Sequence, residues 1–131
     1  MTTEPVLFPL WHLALAPDWE DALASGSYEI STRGRSLAQE GFIHCAYPHQ
    51  LAGVARAFYA DVDEPLLVLE LNREALAARG VRVHVEEVPA SNGQRFPHVY
   101  GPIAVDAVLT VRPATFDEGG GLVLGTPGVV E

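Results

Sequence analysis

The stretch Glu40-Gly41-Phe42-Ile43-His44-Cys45-Ala46-Tyr47-Pro48-His49-Gln50 decides how the chain is read. It holds the one cysteine and two of the five histidines. A glycine opens the apolar run and a proline closes it, which predicts a strand, a sharp turn and then a helix. On that strand Phe42, His44 and Ala46 face one way, and Ile43 and Cys45 the other. Polar groups at the end of a buried strand are where a small fold holds chemistry. A second stretch of the same character, Arg95-Phe96-Pro97-His98-Val99-Tyr100-Gly101-Pro102, follows later. The functional case depends on whether the two meet.

Working outward, residues 6–15 form an apolar run of strand length. Trp11, Leu13 and Leu15 share one face, and Leu10, His12 and Ala14 the other. Pro17 followed by Asp18 and Glu20 starts a helix that stops near Gly26. Ser36 is read as an N-cap for one or two turns ending at Glu40. Beyond the opening stretch, Leu51, Val54, Ala55 and Phe58 recur at helical spacing. Residues 66–71 read as a central strand, and Asn72 caps a short helix stopped by Gly80. Then Val81, Val83 and Val85 alternate as an inward face against Arg82, His84 and Glu86. A loop with an Asn92-Gly93 turn leads into a short strand over 95–100, and a last strand spans 104–111. The order predicts an α+β fold with a strand-rich second half. One domain over residues 6–113 is expected, with residues 114–131 a poorly specified Gly-rich tail.

The chain has 131 residues, 48% of them hydrophobic and 19% charged, enough for one core in one domain. No run reaches the ~20 apolar residues of a membrane span, and no secretory leader is visible. A single cysteine suits a reducing cytoplasm. The net charge is −9 and all eight basic residues are arginine. That balance argues against DNA, a long RNA or an anionic membrane as partner, and leaves room for a small anion at a local arginine site.

By pattern alone the chemistry is sparse. Gly119 to Gly121 lacks the Lys-Ser/Thr ending of a phosphate loop. No cysteine or histidine pair has zinc-ligand spacing, so no metal is expected, and a site built from His12, His44, His98 and a carboxylate is the less favoured reading. Cys45 is read as a buried structural thiol rather than a nucleophile. Single strand histidines are most simply hydrogen-bonded core residues. Together, however, His12, His44, His84, Glu86, His98 and Tyr100 on neighbouring strands predict a polar cleft. Arg33, Arg35 and Arg95 are solubilising by default, or a bidentate phosphate clamp.

Gly41-Phe42-Ile43-His44-Cys45, the Gln50 that follows, Val85-Glu86 and Phe96-Pro97-His98-Val99-Tyr100-Gly101 resemble the bacterial domain-of-unknown-function family 952. The resemblance covers about residues 8 to 112. Ala46 and Val85 depart from that family's usual serine and tryptophan. The family is similar in fold to the ADP-ribosyltransferase superfamily, which implies a split, strongly bent pair of small sheets with flanking helices. By that resemblance His12 would hold an NAD ribose, His44 would line the nicotinamide pocket and Glu86 would support ribosyl transfer. Arg33, Arg35 or Arg95 would meet the pyrophosphate. Gln50, His98 and Tyr100 complete the expected substrate-binding set. No permanently bound cofactor is implied, and NAD enters as substrate. Two other readings stand beside this one. One is a non-NAD acid–base enzyme acting on a small metabolite through His44 and His98. The other is a ligand-binding module without a reaction.

Overall fold

In the computed structural model, which describes residues 8–88 and 93–129, the chain organises around a strand whose two faces pack different cores. β1 (Leu10–Leu15) runs into α1 (Ala16–Ser25), which has proline in its first turn. Gly26 caps it in the left-handed region at φ 90°, a conformation glycine adopts without penalty. Three short strands follow: β2 (Ser27–Tyr28), β3 (Ile30–Thr32) and β4 (Arg35–Ser36). One turn of helix, α2 (Leu37–Glu40), is closed by a reciprocal Ser36–Gln39 capping box and by Gly41 at φ 87°. β5 (Ile43–His44) leads to α3 (Pro48–Phe58). After β6 (Leu66–Leu71) comes α4 (Arg73–Ala78), whose first N–H groups are received by the Asn72 side chain. β7 (Arg82–Glu87), β8 (Arg95–Tyr100) and β9 (Ile103–Ala104) precede a single 3₁₀ turn. β10 (Val108–Phe116), β11 (Leu122–Leu124) and β12 (Gly128–Val129) close the chain.

Among the described residues the result is a mixed α/β domain with four helices and several antiparallel sheets. The main sheet runs β1-β6-β10-β11, with β12 also on β10. A second sheet has the order β5-β8-β7. The two meet at one bridge, Trp11 to Ala46, with backbone bonds of 3.0 and 2.8 Å. Pro97 explains why the pairing of β5 with β8 stops there. Cys45 N–H donates to Pro97 O at 3.0 Å, but proline has no N–H to return to Cys45. The ladder ends, and the chain crosses to β1 at the next residue.

Period-two alternation divides the interior. Leu10, Ala14, Leu69 and Leu71 face a core with Trp19, Tyr28, Ile43, Val99 and Leu76. Leu13, Leu66 and Val68 face a second core against Leu51 and Ala55 of α3, with Tyr59 and Ala114. Val81 and Val83 pack against the first core as expected, whereas Val85 is exposed. Residues 114–129 differ from the expected loose tail. β10 continues to Phe116, and β11 returns along it with Leu122 opposite Phe116. Asp117 closes the hairpin by accepting N–H bonds from Gly119 and Gly121 at 2.9 and 2.8 Å. Alternation over three apolar residues is too short a signal to show this in the sequence. Of the expected Asn92-Gly93 turn, Asn92 lies outside the described residues. Among the described residues no helix is long and apolar enough to cross a membrane.

Candidate functional site

The two stretches singled out from the sequence are hydrogen-bonded neighbours. In the second sheet Ile43 pairs with Val99 and His44 with His98. On the other side His84 pairs with His98. One face therefore carries a row of three imidazoles, from His44 through His98 to His84. Phe42, Phe96, Tyr100 and Glu86 share this face, while Ile43, Val99 and Val83 turn to the core.

The rings are packed rather than splayed. Phe42 stacks on His98 with centroids 4.1 Å apart and planes at 14°. His44 meets His98 edge to face at 5.0 Å. His84 meets Tyr100 in the same manner at 5.2 Å. His98 is 4% exposed despite lying on the outer face, because Phe42 lies over it.

A cleft of about 300 Å³ adjoins this row at the gap between the sheets. Its floor and walls are mostly apolar: Leu13, Leu51, Val54, Phe58 and Phe96. Its polar edge is formed by His44 and Glu40, with Ser31, Thr32 and Tyr59 deeper along β3 and α3. Glu40 links the edge together. Its Oε2 accepts two guanidinium bonds from Arg35, at 3.0 and 2.8 Å, and its Oε1 lies 3.4 Å from His44 Nε2. The Arg35 bonds, with a smaller part from His44, hold the Glu40 carboxyl below its usual range. Burial pushes the His44 imidazole below its ordinary value, and Glu40 pulls it back up. Tyr59 is sealed at the base, receiving Arg33 N–H at 3.1 Å and donating to Leu13 O at 3.4 Å.

A second carboxylate sits further along the sheet face. Glu86 Oε1 receives His98 Nδ1–H at 2.7 Å and Tyr100 O–H at 2.5 Å. These bonds, Tyr100 first, lower the Glu86 pKa, and the same bond raises that of Tyr100.

His12 requires a correction. It was expected to hold a ribose, but it is 1% exposed and faces away from the cleft. The reason is strand alternation: Leu13 lines the cleft, so its neighbour His12 must point to the opposite side. Its Nδ1 lies 2.6 Å from His44 O, and its Nε2 lies 2.8 Å from the Tyr28 hydroxyl. A carbonyl only accepts, so Nδ1 carries the hydrogen and Tyr28 donates to Nε2. Burial lowers its pKa to about 4. His12 is a neutral strut that fixes the backbone of His44.

The arginines are a second correction, since they do not form one clamp. Arg33 binds Asp61 at 2.5 Å and Phe58 O at 3.2 Å. Arg35 binds Glu40, and Arg95 binds Val85 O at 2.9 Å. Each guanidinium is held by its own acceptor on a different segment. Gln50 accepts from Tyr47 N–H at 3.1 Å and donates to Arg95 O at 2.8 Å, tying α3 to β8. Cys45 is 5% exposed, and burial pushes its thiol well above the usual range. Among the described residues no group of three His, Cys, Asp or Glu side chains is placed to hold a metal ion.

Sequence reasoning missed Glu40. Its signal was present: the Ser36 cap and Gly41 stop fix a single turn whose last residue lies four before His44. It also missed Phe42 as the cover of His98, which needs the register of three strands to be known.

The comparisons agree with this architecture. The crystal structure of protein CC0527 from Caulobacter crescentus is similar, with a TM-score of 0.71 at 24% identity. The match covers 88% of this chain and 93% of that one. A double mutant of the same protein matches equally. At this identity the likeness concerns the fold. No curated protein matches the chain. A family model described as "Protein of unknown function (DUF952)" matches residues 13–111, which include both motif strands, the cleft and the row of histidines. The chain therefore belongs to the DUF952 family.

Proposed function

We propose that the cleft binds NAD or a related nucleotide, with its planar ring among the apolar walls and its ribose at His44. The observation that carries this reading is an apolar cleft of about 300 Å³ whose polar edge is one linked set, Arg35–Glu40–His44. Small-ligand sites have this form: apolar walls and a few fixed polar groups that set orientation. The ribose hydroxyls suit Glu40 as acceptor and His44 as donor or acceptor. Antiparallel sheets of five and three strands, joined among the described residues by the Trp11–Ala46 bridge, also fit the split, bent arrangement of the ADP-ribosyltransferase superfamily. Ribosyl transfer or hydrolysis of the nicotinamide–ribose bond is the reaction that goes with this ligand. A nearby carboxylate would offset the positive charge that develops on the sugar. Arg35 sits nearest the phosphates in this arrangement, and must release part of its hold on Glu40 to meet them.

One observation favours a second reading. All three candidate arginines are engaged by protein acceptors, so the rim offers acid–base groups more readily than an anion receptor. An uncharged metabolite worked on by His44 and His98 meets that condition.

Thermal unfolding in the presence of NAD, ADP-ribose, nicotinamide and AMP separates the two. The nucleotide reading expects a concentration-dependent rise in Tm with NAD or ADP-ribose, abolished by His44→Ala. No rise with any of the four, from a protein that unfolds cooperatively, rejects it. The second reading expects a hit from a screen of uncharged metabolites instead, lost in His44→Ala and His98→Ala.

A further inference from the structure

We infer that His98, oriented by Glu86 and Tyr100, is the proton acceptor of this site, and that Glu86 is its positioning residue rather than the group that meets the sugar. The inference rests on the nucleotide reading above. Its basis is how the hydrogen bonds are spent. One oxygen of Glu86 already receives both His98 Nδ1–H and Tyr100 O–H. A carboxylate only accepts, so the hydrogen sits on Nδ1 and the proton is exchanged at Nε2. A carboxylate that orients an imidazole and supports the imidazolium formed during reaction is a recurrent catalytic arrangement.

Nε2 itself is fully buried and has no hydrogen-bond partner among the described residues. A buried polar nitrogen without a partner is costly and calls for an explanation, and a catalytic role at a ligand site is one that fits here. His98 does not itself line the cleft, but two of its neighbours do. His44 and Phe96, which wall the cleft, are the cross-strand partner of His98 and its next neighbour on the same face. The His44 ring, edge to face with His98 at 5.0 Å, stands between it and the cleft and must tilt to admit a ligand oxygen.

A water or an acceptor hydroxyl gives its proton to Nε2, so an O–H bond breaks and an N–H bond forms. The oxygen's lone pair forms the bond to the anomeric carbon of the ribose. The carbon–nitrogen bond breaks, and its electron pair leaves with nicotinamide, which departs neutral. The new imidazolium charge is met by Glu86 through Nδ1–H.

The test uses the full chain and NAD, with His98→Asn, Glu86→Gln and Tyr100→Phe. Calorimetry reads binding, chromatography reads nicotinamide release against pH, and ¹⁵N correlation spectra read the imidazole hydrogens. His98→Asn is expected to bind NAD within about threefold of wild type and to lose about 10²- to 10⁴-fold in kcat, the usual worth of a general base. Glu86→Gln keeps the Nδ1–H acceptor and loses its charge. Its kcat falls, and the rising limb of its pH profile moves to lower pH. Tyr100→Phe removes a donor from Glu86, leaves binding intact and moves the same limb by a smaller amount in the opposite direction, toward higher pH. In wild type the ¹⁵N spectra place the hydrogen on Nδ1. Undiminished release by His98→Asn, a wild type that binds NAD without releasing nicotinamide, or a hydrogen on Nε2 overturns the role of His98 alone. Absence of NAD binding by wild type overturns the nucleotide reading and this role with it.

Discussion

His12 should make the protein progressively less stable as the pH falls toward 4, by an amount that can be worked out. Its ring is sealed, with Nδ1 on His44 O and Nε2 on Tyr28. The folded protein refuses a proton there until about pH 4, whereas the unfolded chain takes one near the ordinary 6.5. Above 6.5 the ring is neutral in both states, and the contribution of the site to folding is complete. Between 6.5 and about 4 only the unfolded state is protonated, so stability drops by about 1.4 kcal/mol per unit of pH. Over the whole window this amounts to about 3 kcal/mol, a large share of the ~5–15 kcal/mol that holds a domain together. The assay is urea unfolding followed by tryptophan fluorescence, from about pH 7.5 down to about pH 4.5, for wild type and His12→Gln. Glutamine can still donate to His44 O but does not titrate. Wild type is expected to be the more stable at neutral pH, and its advantage is expected to shrink by about 2.5 kcal/mol across the series, which ends short of the full window. Parallel stability curves refute the reasoning. So does a folded-state His12 resonance that titrates near 6.5.

Three further outcomes follow from the same packing. Tyr28→Phe leaves His12 Nε2 buried without a donor and is expected to cost about 1–3 kcal/mol in urea unfolding at neutral pH, while a cost near zero contradicts the bond. Gly41→Ala places a side chain at φ 87° and is expected to cost about 1 kcal/mol, with the His44 resonances shifted because the Glu40 turn is displaced. Cys45 is expected to react with an aromatic disulfide reagent only as fast as the protein opens, accelerating sharply in urea; rapid labelling of the native protein contradicts its burial.

Much of the fold was legible because it depends on local chemistry. Pro17, Ser36, Gly41, Pro48 and Asn72 mark helix boundaries by their backbone geometry, and the helices begin and end where these residues put them. Alternation in β1 also placed His12 on the Leu10–Ala14 face, and the structure keeps it there. The sequence does not say which face of β1 meets the cleft. That depends on α3 packing against Leu13 and not against His12, a long-range choice. The meeting of β5 and β8 has the same character. Both strands could be recognised, but their register, and hence the row His44–His98–His84, is fixed only by assembly of the sheet. The arginines failed as a clamp for an ordinary reason. Each found a nearby acceptor on its own part of the surface, where charge pairs form according to reach. The C-terminal hairpin was hidden because its returning strand has only three residues and its glycines suggest loop.

The most direct test of the account is calorimetric titration of the full chain with NAD, run in parallel on His44→Ala and Glu40→Gln. The nucleotide reading predicts saturable one-site binding by wild type, lost or weakened at least tenfold in both variants while each still unfolds cooperatively. Absence of binding by folded wild type, or equal affinity in all three proteins, contradicts it.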